Sequence, residues 1–492
     1  MTDIVPVTEE KKRSAANKAN SQLFKAEQLL KLIDSKRLLS ERLNIGRACY
    51  LTALEDVNDE GFTKDEALSE AFKLWDDYAK GTSEEWKKIG KSDQMITIKT
   101  LAWWAKLDNP VGYTKWHKSW VTSLINNPVV GINNLADIVY ATYWLDFIFC
   151  NKVWYRYEGN RWFVIDKDYL CGLIVNDFSK KSERMLNNNK LVMIINKLSK
   201  TAKKSSIITL CQCKFTLAKF DDIKDKDNLL FAVRNGVIDL HTESKDIIKF
   251  RQAKPEDYLT KCSEVEYNTE LTLFSDSVRA LEKWFGQVFT ALTESEFQST
   301  VASYIKGGTD KKFPVWSGKD DNSKRLMKNF LKMILGTYCV TLPESIITKG
   351  SNSGKNLIIN ARLGFFQGVD SERKVKCDII KELTSDDIQL KIRSKHIEVK
   401  NTCKFVLIGD TAPGTSNSVS FNSTWVSDPP VTEAEQHAQR CFKLDEKFET
   451  KMSELAEAGL YMIVNHWYPN YVEDQTTPTV AVAATAISSA SA

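Results

Sequence analysis

The chain has 492 residues, of which 42% are hydrophobic and 27% charged, enough for roughly three domains and a sizeable core. A net charge of +4 excludes arguing nucleic-acid binding from charge alone, so any such case rests on where lysine and arginine cluster. Ten scattered cysteines with one close pair, Cys211 and Cys213, and five separated histidines exclude a disulfide framework and a structural zinc site, and point to a reducing compartment.

Residues 1–26 read as a disordered lead-in without a secretory signal, with Glu9, Glu10, Lys11, Lys12 and Arg13 in a row. Helical spacing then takes over across 27–120: Leu29, Leu30, Leu32 and Ile33, then Ile45, Tyr50 and Leu54, then Ala71, Phe72, Leu74, Trp75 and Tyr78. The segment closes on an aromatic stripe ending at Trp103, Trp104, Leu107 and Pro110, which by itself reads as core.

Residues 121–285 read as a mixed α/β unit. The most apolar run, Leu135 to Cys150, carries Asp137 and Asp146 and therefore predicts a buried helix rather than a membrane span. Val153 to Val164 predicts a hairpin turning at Glu158-Gly159-Asn160, whose aromatics beside Arg156 and Arg161 either hold the strands together or stack bases. Lys180, Lys181, Arg184, Lys190, Lys197, Lys200, Lys203 and Lys204 form the densest basic stretch, either a solvated helix face or a surface that tracks phosphates. Asn235-Gly236 predicts a tight turn between the apolar strands Leu229–Val233 and Val237–Leu240.

Residues 286–468 read as a third unit, followed by a flexible tail over 469–492. Trp284 to Lys306 predicts helix, and Phe313, Val315 and Trp316 predict a strand. A polar loop from Ser317 to Arg325 comes next, and then Leu326, Phe330, Met333 and Ile334 recur at helical spacing. That layout is a phosphate loop, in which backbone N–H groups curl round an anion at a helix N-terminus and a lysine reaches the β- and γ-phosphates. The spacing fits, with Gly318, four residues, position 323 and Lys324; but Ser323 replaces the second glycine and Arg325 replaces the hydroxyl that would hold Mg²⁺. A plain polar turn between strand and helix is the alternative. Gly350 to Asn356 also ends in Gly-Lys, yet three residues separate its glycines and no strand precedes it, so it reads as a loop.

Further along, Phe365 to Glu372 ends in two acids, Asp370 and Glu372. Between Asp387 and Val399, Ile388, Leu390 and Ile392 alternate with Lys391, Arg393 and Lys395, placing cations and aliphatics on opposite strand faces. Lys404 to Asp410 reads as a buried strand with a polar end, and residues 451–468 as a closing helix.

Several stretches resemble viral primase-helicases. Residues 27–110 resemble the small helical module that follows the catalytic primase domain, through Phe72-Lys73-Leu74-Trp75 and the closing Thr97 to Pro110 run. Asn228 to Leu240 with Ala253 to Lys261 resembles the domain that precedes the helicase in poxvirus and giant-virus primase-helicases. Residues 290–465 resemble a superfamily 3 helicase, whose loop usually ends in Asn-Gly-Lys-Ser where this chain has Asn322-Ser323-Lys324-Arg325.

The resemblance implies a helical N-terminal part followed by an α/β motor domain of the P-loop, AAA+-like superfamily 3 type with a central parallel sheet. It implies ATP and Mg²⁺ as ligands, with Gly318, Asn322, Ser323, Lys324 and Arg325 at the nucleotide. Asp370 would hold the metal and Glu372 would be the catalytic carboxylate. Asp410 would stand where the family keeps an asparagine sensing the γ-phosphate, and Arg440 where it keeps an arginine finger. Lys391, Arg393 and Lys395 would line the channel of a hexameric ring on single-stranded or forked DNA, with a separate primase or polymerase as partner. No polymerising activity is expected, since 26 residues cannot hold a primase domain. A soluble protein at a cytoplasmic viral replication site or in the nucleus is expected, with no membrane. Ser323, Arg325 and Asp410 leave two functions open: a DNA-replication helicase, or a degenerate homologue that binds DNA or scaffolds a ring.

Overall fold

A computed structural model describes residues 21–59, 63–91, 96–126, 131–183, 201–241, 248–309, 311–367, 375–392, 395–409, 418–445 and 447–471. It divides into two compact units, residues 1–158 with 163–221, and residues 159–162 with 222–492. The span 121–285, read above as one domain, is thus shared between them.

The first unit begins as a helical array. Its first helix, Gln22–Leu30, takes in the last residues of the lead-in expected to be disordered, because Leu23 and Ala26 are buried with Leu29 and Leu30; residues 1–20 lie outside the described residues. Thr63 and Thr82 each close a capping box on the helices Lys64–Ala79 and Ser83–Ile89, with Glu66 and Glu85 returning the bond. Trp75 and Trp104 are buried with Leu29, Leu30, Ile45 and Leu101, and Trp75 stacks on Trp86 at 5.5 Å, so the aromatic stripe is core. Asn109-Pro110 does not end the array. The Asn109 side chain accepts from the Gly112 N–H at 2.9 Å and Pro110 opens the next helix, Pro110–Ile125, where its missing donor costs nothing.

The apolar run expected as a single helix breaks in two. Ile132–Tyr143 is helix and Phe147–Cys150 is strand, paired antiparallel to Val153–Glu158, because Phe-Ile-Phe favours the pleated, half-buried surface. The hairpin turns at Gly159 as expected, with φ 65, and its third strand is Arg161–Ile165. Phe147, Trp154 and Phe215 anchor a second core there. Among the described residues no helix is long and apolar enough to cross a membrane.

The second unit opens with Leu230–Val233, Gly236–Asp239 and Lys249–Arg251 in one antiparallel sheet. Val233 pairs with Gly236, so the turn is Arg234-Asn235, one residue earlier than the sequence suggests. Asn235 is held by Tyr267, whose N–H it accepts at 2.9 Å and to whose carbonyl it donates at 3.0 Å.

The main sheet has five parallel strands in the order Ser418–Ser420, Val315–Ser317, Lys404–Ile408, Leu363–Gln367, Cys339–Leu342. Side chains alternate between two cores, Trp316, Phe365 and Val406 on one face and Val315, Phe366 and Phe405 on the other. Burial on both faces is why these strands read as continuous apolar runs. The helices Asp276–Val288, Asp321–Leu335 and Met452–Met462 cover the first face through Trp284, Phe330 and Leu460. Ile346 and Ile347 lie in the helix Ser345–Lys349, so no strand precedes the second Gly-Lys loop, and Lys355 is instead buried and paired with Glu382 at 3.0 Å.

Candidate phosphate-loop site

Ligands of open parallel sheets bind outside the carboxyl ends of the strands. Val315–Ser317, flanked on both sides, delivers Gly318 to that edge. Gly318 adopts φ 110, and a Cβ there would lie 2.1 Å from the Phe421 carbonyl oxygen, so only glycine fits.

The loop is shorter than its sequence predicts. Helix starts at Asp321, which puts Asn322, Ser323, Lys324 and Arg325 in its first turn and leaves Gly318, Lys319 and Asp320 as the connection. Asp320 is the reason. Its buried carboxylate accepts from the Ser323 N–H at 2.9 Å and, through the other oxygen, from the Trp425 indole N–H at 2.8 Å. The same indole N–H reaches the Ser323 hydroxyl oxygen at 2.9 Å. Aspartate is a strong helix N-cap, and its charge favours the positive end of the helix dipole. It satisfies a backbone N–H at the helix start, the kind of group to which anions bind.

Lys324 is 2% exposed, and its ammonium donates to the Gly318 carbonyl at 2.8 Å and pairs with Asp321 at 2.7 Å. The lysine therefore closes over the loop rather than pointing to solvent. Arg325 lies on the exposed side, donating to Asn322 at 3.0 Å and pairing with Glu449. A cavity of about 450 Å³ opens beside this turn, with Trp284, Asn322, Leu326, Trp425 and Phe448 among its walls.

As they stand, these residues do not fit a magnesium triphosphate. Asp320 and Asp321 put two carboxylates at the first turn, and Arg325 offers the metal no oxygen. Among the described residues no group of three or more His, Cys, Asp or Glu side chains is placed to hold a metal.

The other expected site residues are not all brought here. Arg440 ends the helix Glu433–Gln439 at φ 50 and donates to the carbonyls of Gly286 and Gln287 and to the Ser423 hydroxyl, with Phe442 under its guanidinium. It is committed to the end of the helix Asp276–Val288. Lys391 is exposed on the antiparallel hairpin Asp387–Ile392 and Lys395–Lys400, with His396 directly opposite, while Ile388 and Leu390 are buried on the other face. Lys395 opens the second strand opposite Ile392. The run expected as one strand carrying Lys391, Arg393 and Lys395 on a single face is thus two paired strands, and the register puts Lys395 on the face of Ile392 rather than that of Lys391. Asp370, Glu372, Arg393, Asp410, the side chain of Lys395 and the basic side chains between Lys180 and Lys204 lie outside what is described.

Asp320 and Trp425 escaped the sequence reading. An aspartate just before an amphipathic run is a recognised helix start, whereas nothing local marks Trp425 as a partner.

Residues 136–303 match the family described as D5 N terminal like. The chain is 23% identical over 529 aligned residues to "Putative helicase 121R" of Invertebrate iridescent virus 3, covering 88% of this chain and 56% of that protein. It is 25% identical over 309 residues to "Putative helicase 184R" of Invertebrate iridescent virus 6, covering 56% and 31%. It thus spans 56% of the length of the first of these relatives and 31% of the second. The A form apo structure of the NrS-1 C terminal region aligns at 13% identity and a TM-score of 0.37, covering 69% of this chain and 72% of that one. The chain therefore carries a D5 N-terminal-like region and is a homologue of viral proteins that bear the name helicase.

Proposed function

We propose that this chain is a DNA-replication protein of the viral primase-helicase kind that works by binding single-stranded DNA within a ring, with the nucleotide chemistry of the motor closed off. One observation carries this reading: the Asp320 carboxylate, held by the Ser323 N–H and the Trp425 indole, fills the helix N-terminus that a γ- or β-phosphate would need. DNA engagement falls to Lys391 on the exposed hairpin face, with Arg393 and Lys395 assigned to the same role from the sequence alone, and such cations track phosphates without reading sequence. The buried Ile388 and Leu390 hold that hairpin to the sheet.

A second reading, a working ATP-dependent helicase, is favoured by Lys324, which is buried and folded onto the Gly318 carbonyl rather than lost to solvent. In it, Lys324 would be the residue that holds the phosphates of ATP, and Asp370 and Glu372 those that would hold Mg²⁺ and orient water. Arg440 would have to leave its carbonyl partners to act on a neighbouring subunit. DNA-stimulated ATP hydrolysis by the whole chain, compared with Lys324→Ala, separates the two. The first reading expects DNA binding with equal background turnover in both proteins; turnover lost on Lys324→Ala establishes the second.

A further inference from the structure

A second cavity, of about 580 Å³, lies wholly within the first unit, in the volume range of small-molecule sites of about 300–1,000 Å³. Tyr143, Asp146, Arg156, Tyr169, Gly172 and Asn176 are among its walls. Arg156 donates to the Tyr169 hydroxyl at 3.0 Å and pairs with Glu158 at 3.2 Å, which fixes the guanidinium beside the phenol. Tyr169 is nevertheless 48% exposed, a ring held in place but uncovered. Arg161, the other arginine of the hairpin, is paired with Glu264 instead.

Gly172 adds an independent observation. It stands inside the helix Lys167–Glu183, where glycine is destabilising relative to alanine, yet a Cβ built there would meet no atom within 4 Å. Packing does not require the glycine. The space it leaves belongs to the cavity.

The wall chemistry selects the ligand. Arg156, Asp146 and Asn176 supply polar wall, and the single cation is already bonded to Glu158 and Tyr169, so the walls carry no strong preference for an anion. A flat neutral ring with donors and acceptors on its edge matches, and the exposed Tyr169 face supplies a stacking surface. A base reaches such a pocket only when unstacked from a duplex. We infer that the Arg156–Tyr169 pocket takes one unpaired base of single-stranded DNA, a contact separate from the hairpin cations. The inference rests on the DNA-binding reading above and says where, beyond Lys391, the strand is held.

The test is fluorescence anisotropy of the full chain with a labelled oligothymidylate and with an abasic strand of equal length, at low salt. Tyr169→Ala and Gly172→Phe, the latter filling the cavity from an unhindered Cβ, should each weaken oligothymidylate binding by about 5- to 150-fold. Both should bind the abasic strand as the unmodified chain does. Circular dichroism of the two variants confirms that the helix is retained. Unchanged oligothymidylate affinity in both variants, with the unmodified chain binding, overturns the pocket and leaves the DNA-binding reading standing. An unmodified chain that binds neither strand overturns both.

Discussion

Replacing Asp320 by serine isolates the feature on which the nucleotide question turns. Serine keeps the cap, since its hydroxyl oxygen can accept the Ser323 N–H that the carboxylate now accepts at 2.9 Å, so helix stability should change by only a few tenths of a kcal/mol. The negative charge is removed. At a separation of roughly 5 Å and an effective dielectric constant of about 20, one unit of repulsion between carboxylate and phosphate is about 3 kcal/mol, or roughly 150-fold in affinity. Titration of a fluorescent ATP analogue into the two proteins, with and without Mg²⁺, reads this directly. Asp320→Ser should bind about two orders of magnitude more tightly than the unmodified chain. Asp320→Ala should gain similarly while losing about 1 kcal/mol of stability with the cap. Equal, tight binding by all three proteins would refute the argument, because the carboxylate would then not stand in the phosphate's place.

Three other consequences follow from the same geometry. Arg440→Ala removes donors from the Gly286 and Gln287 carbonyls and from Ser423, and should cost about 2–3 kcal/mol in urea unfolding, with Arg440→Lys recovering only part. Burial pushes the Glu256 carboxyl up to about 7, so between about pH 4.5 and 7 the folded chain holds a proton that the unfolded chain has released. Stability should therefore fall as pH rises through that window, by at most about 3 kcal/mol, and Glu256→Gln should flatten the dependence in denaturant titrations at several pH values. Lys391→Ala should lower the slope of log affinity for single-stranded DNA against log salt by about 0.7, with little effect on the melting temperature.

Much of the second unit was legible because its elements obey their periods. The buried strands at Val315 and Lys404 read as apolar runs and the helix of Leu326, Phe330 and Ile334 read from its spacing, whereas the strand Leu363–Gln367 begins before the stretch from Phe365 to Glu372 that the sequence marks only by its terminal acids. In the first unit, Glu66 three residues after Thr63 marks a helix start that apolar spacing alone does not show, and Asn109-Pro110, which reads as a close, opens the next helix. What stayed hidden depended on partners distant in sequence. The Leu135–Cys150 run breaks at residues 144–146, where Asp146 is the one turn-favouring residue and reads in the sequence as an interruption within a helix, and pairing with Val153–Glu158 makes Phe147–Cys150 a strand. The Asn235-Gly236 turn slipped by one residue because Tyr267 holds Asn235.

The phosphate loop shows both sides of this. The need for glycine at 318 comes from the Phe421 carbonyl packed against it, whereas the loop's place at the carboxyl end of an apolar strand follows from local pattern. Its closure does not, because Trp425 lies 105 residues beyond Asp320 and binds it only in the folded chain. A motif match therefore located the loop without showing what fills it.

The most direct test of the central claim is steady-state ATP hydrolysis by the unmodified chain with saturating single-stranded DNA and Mg²⁺, run beside Lys324→Ala. A closed loop predicts that both proteins bind DNA and hydrolyse ATP at the same background rate. DNA-stimulated turnover by the unmodified chain that disappears in Lys324→Ala would contradict it.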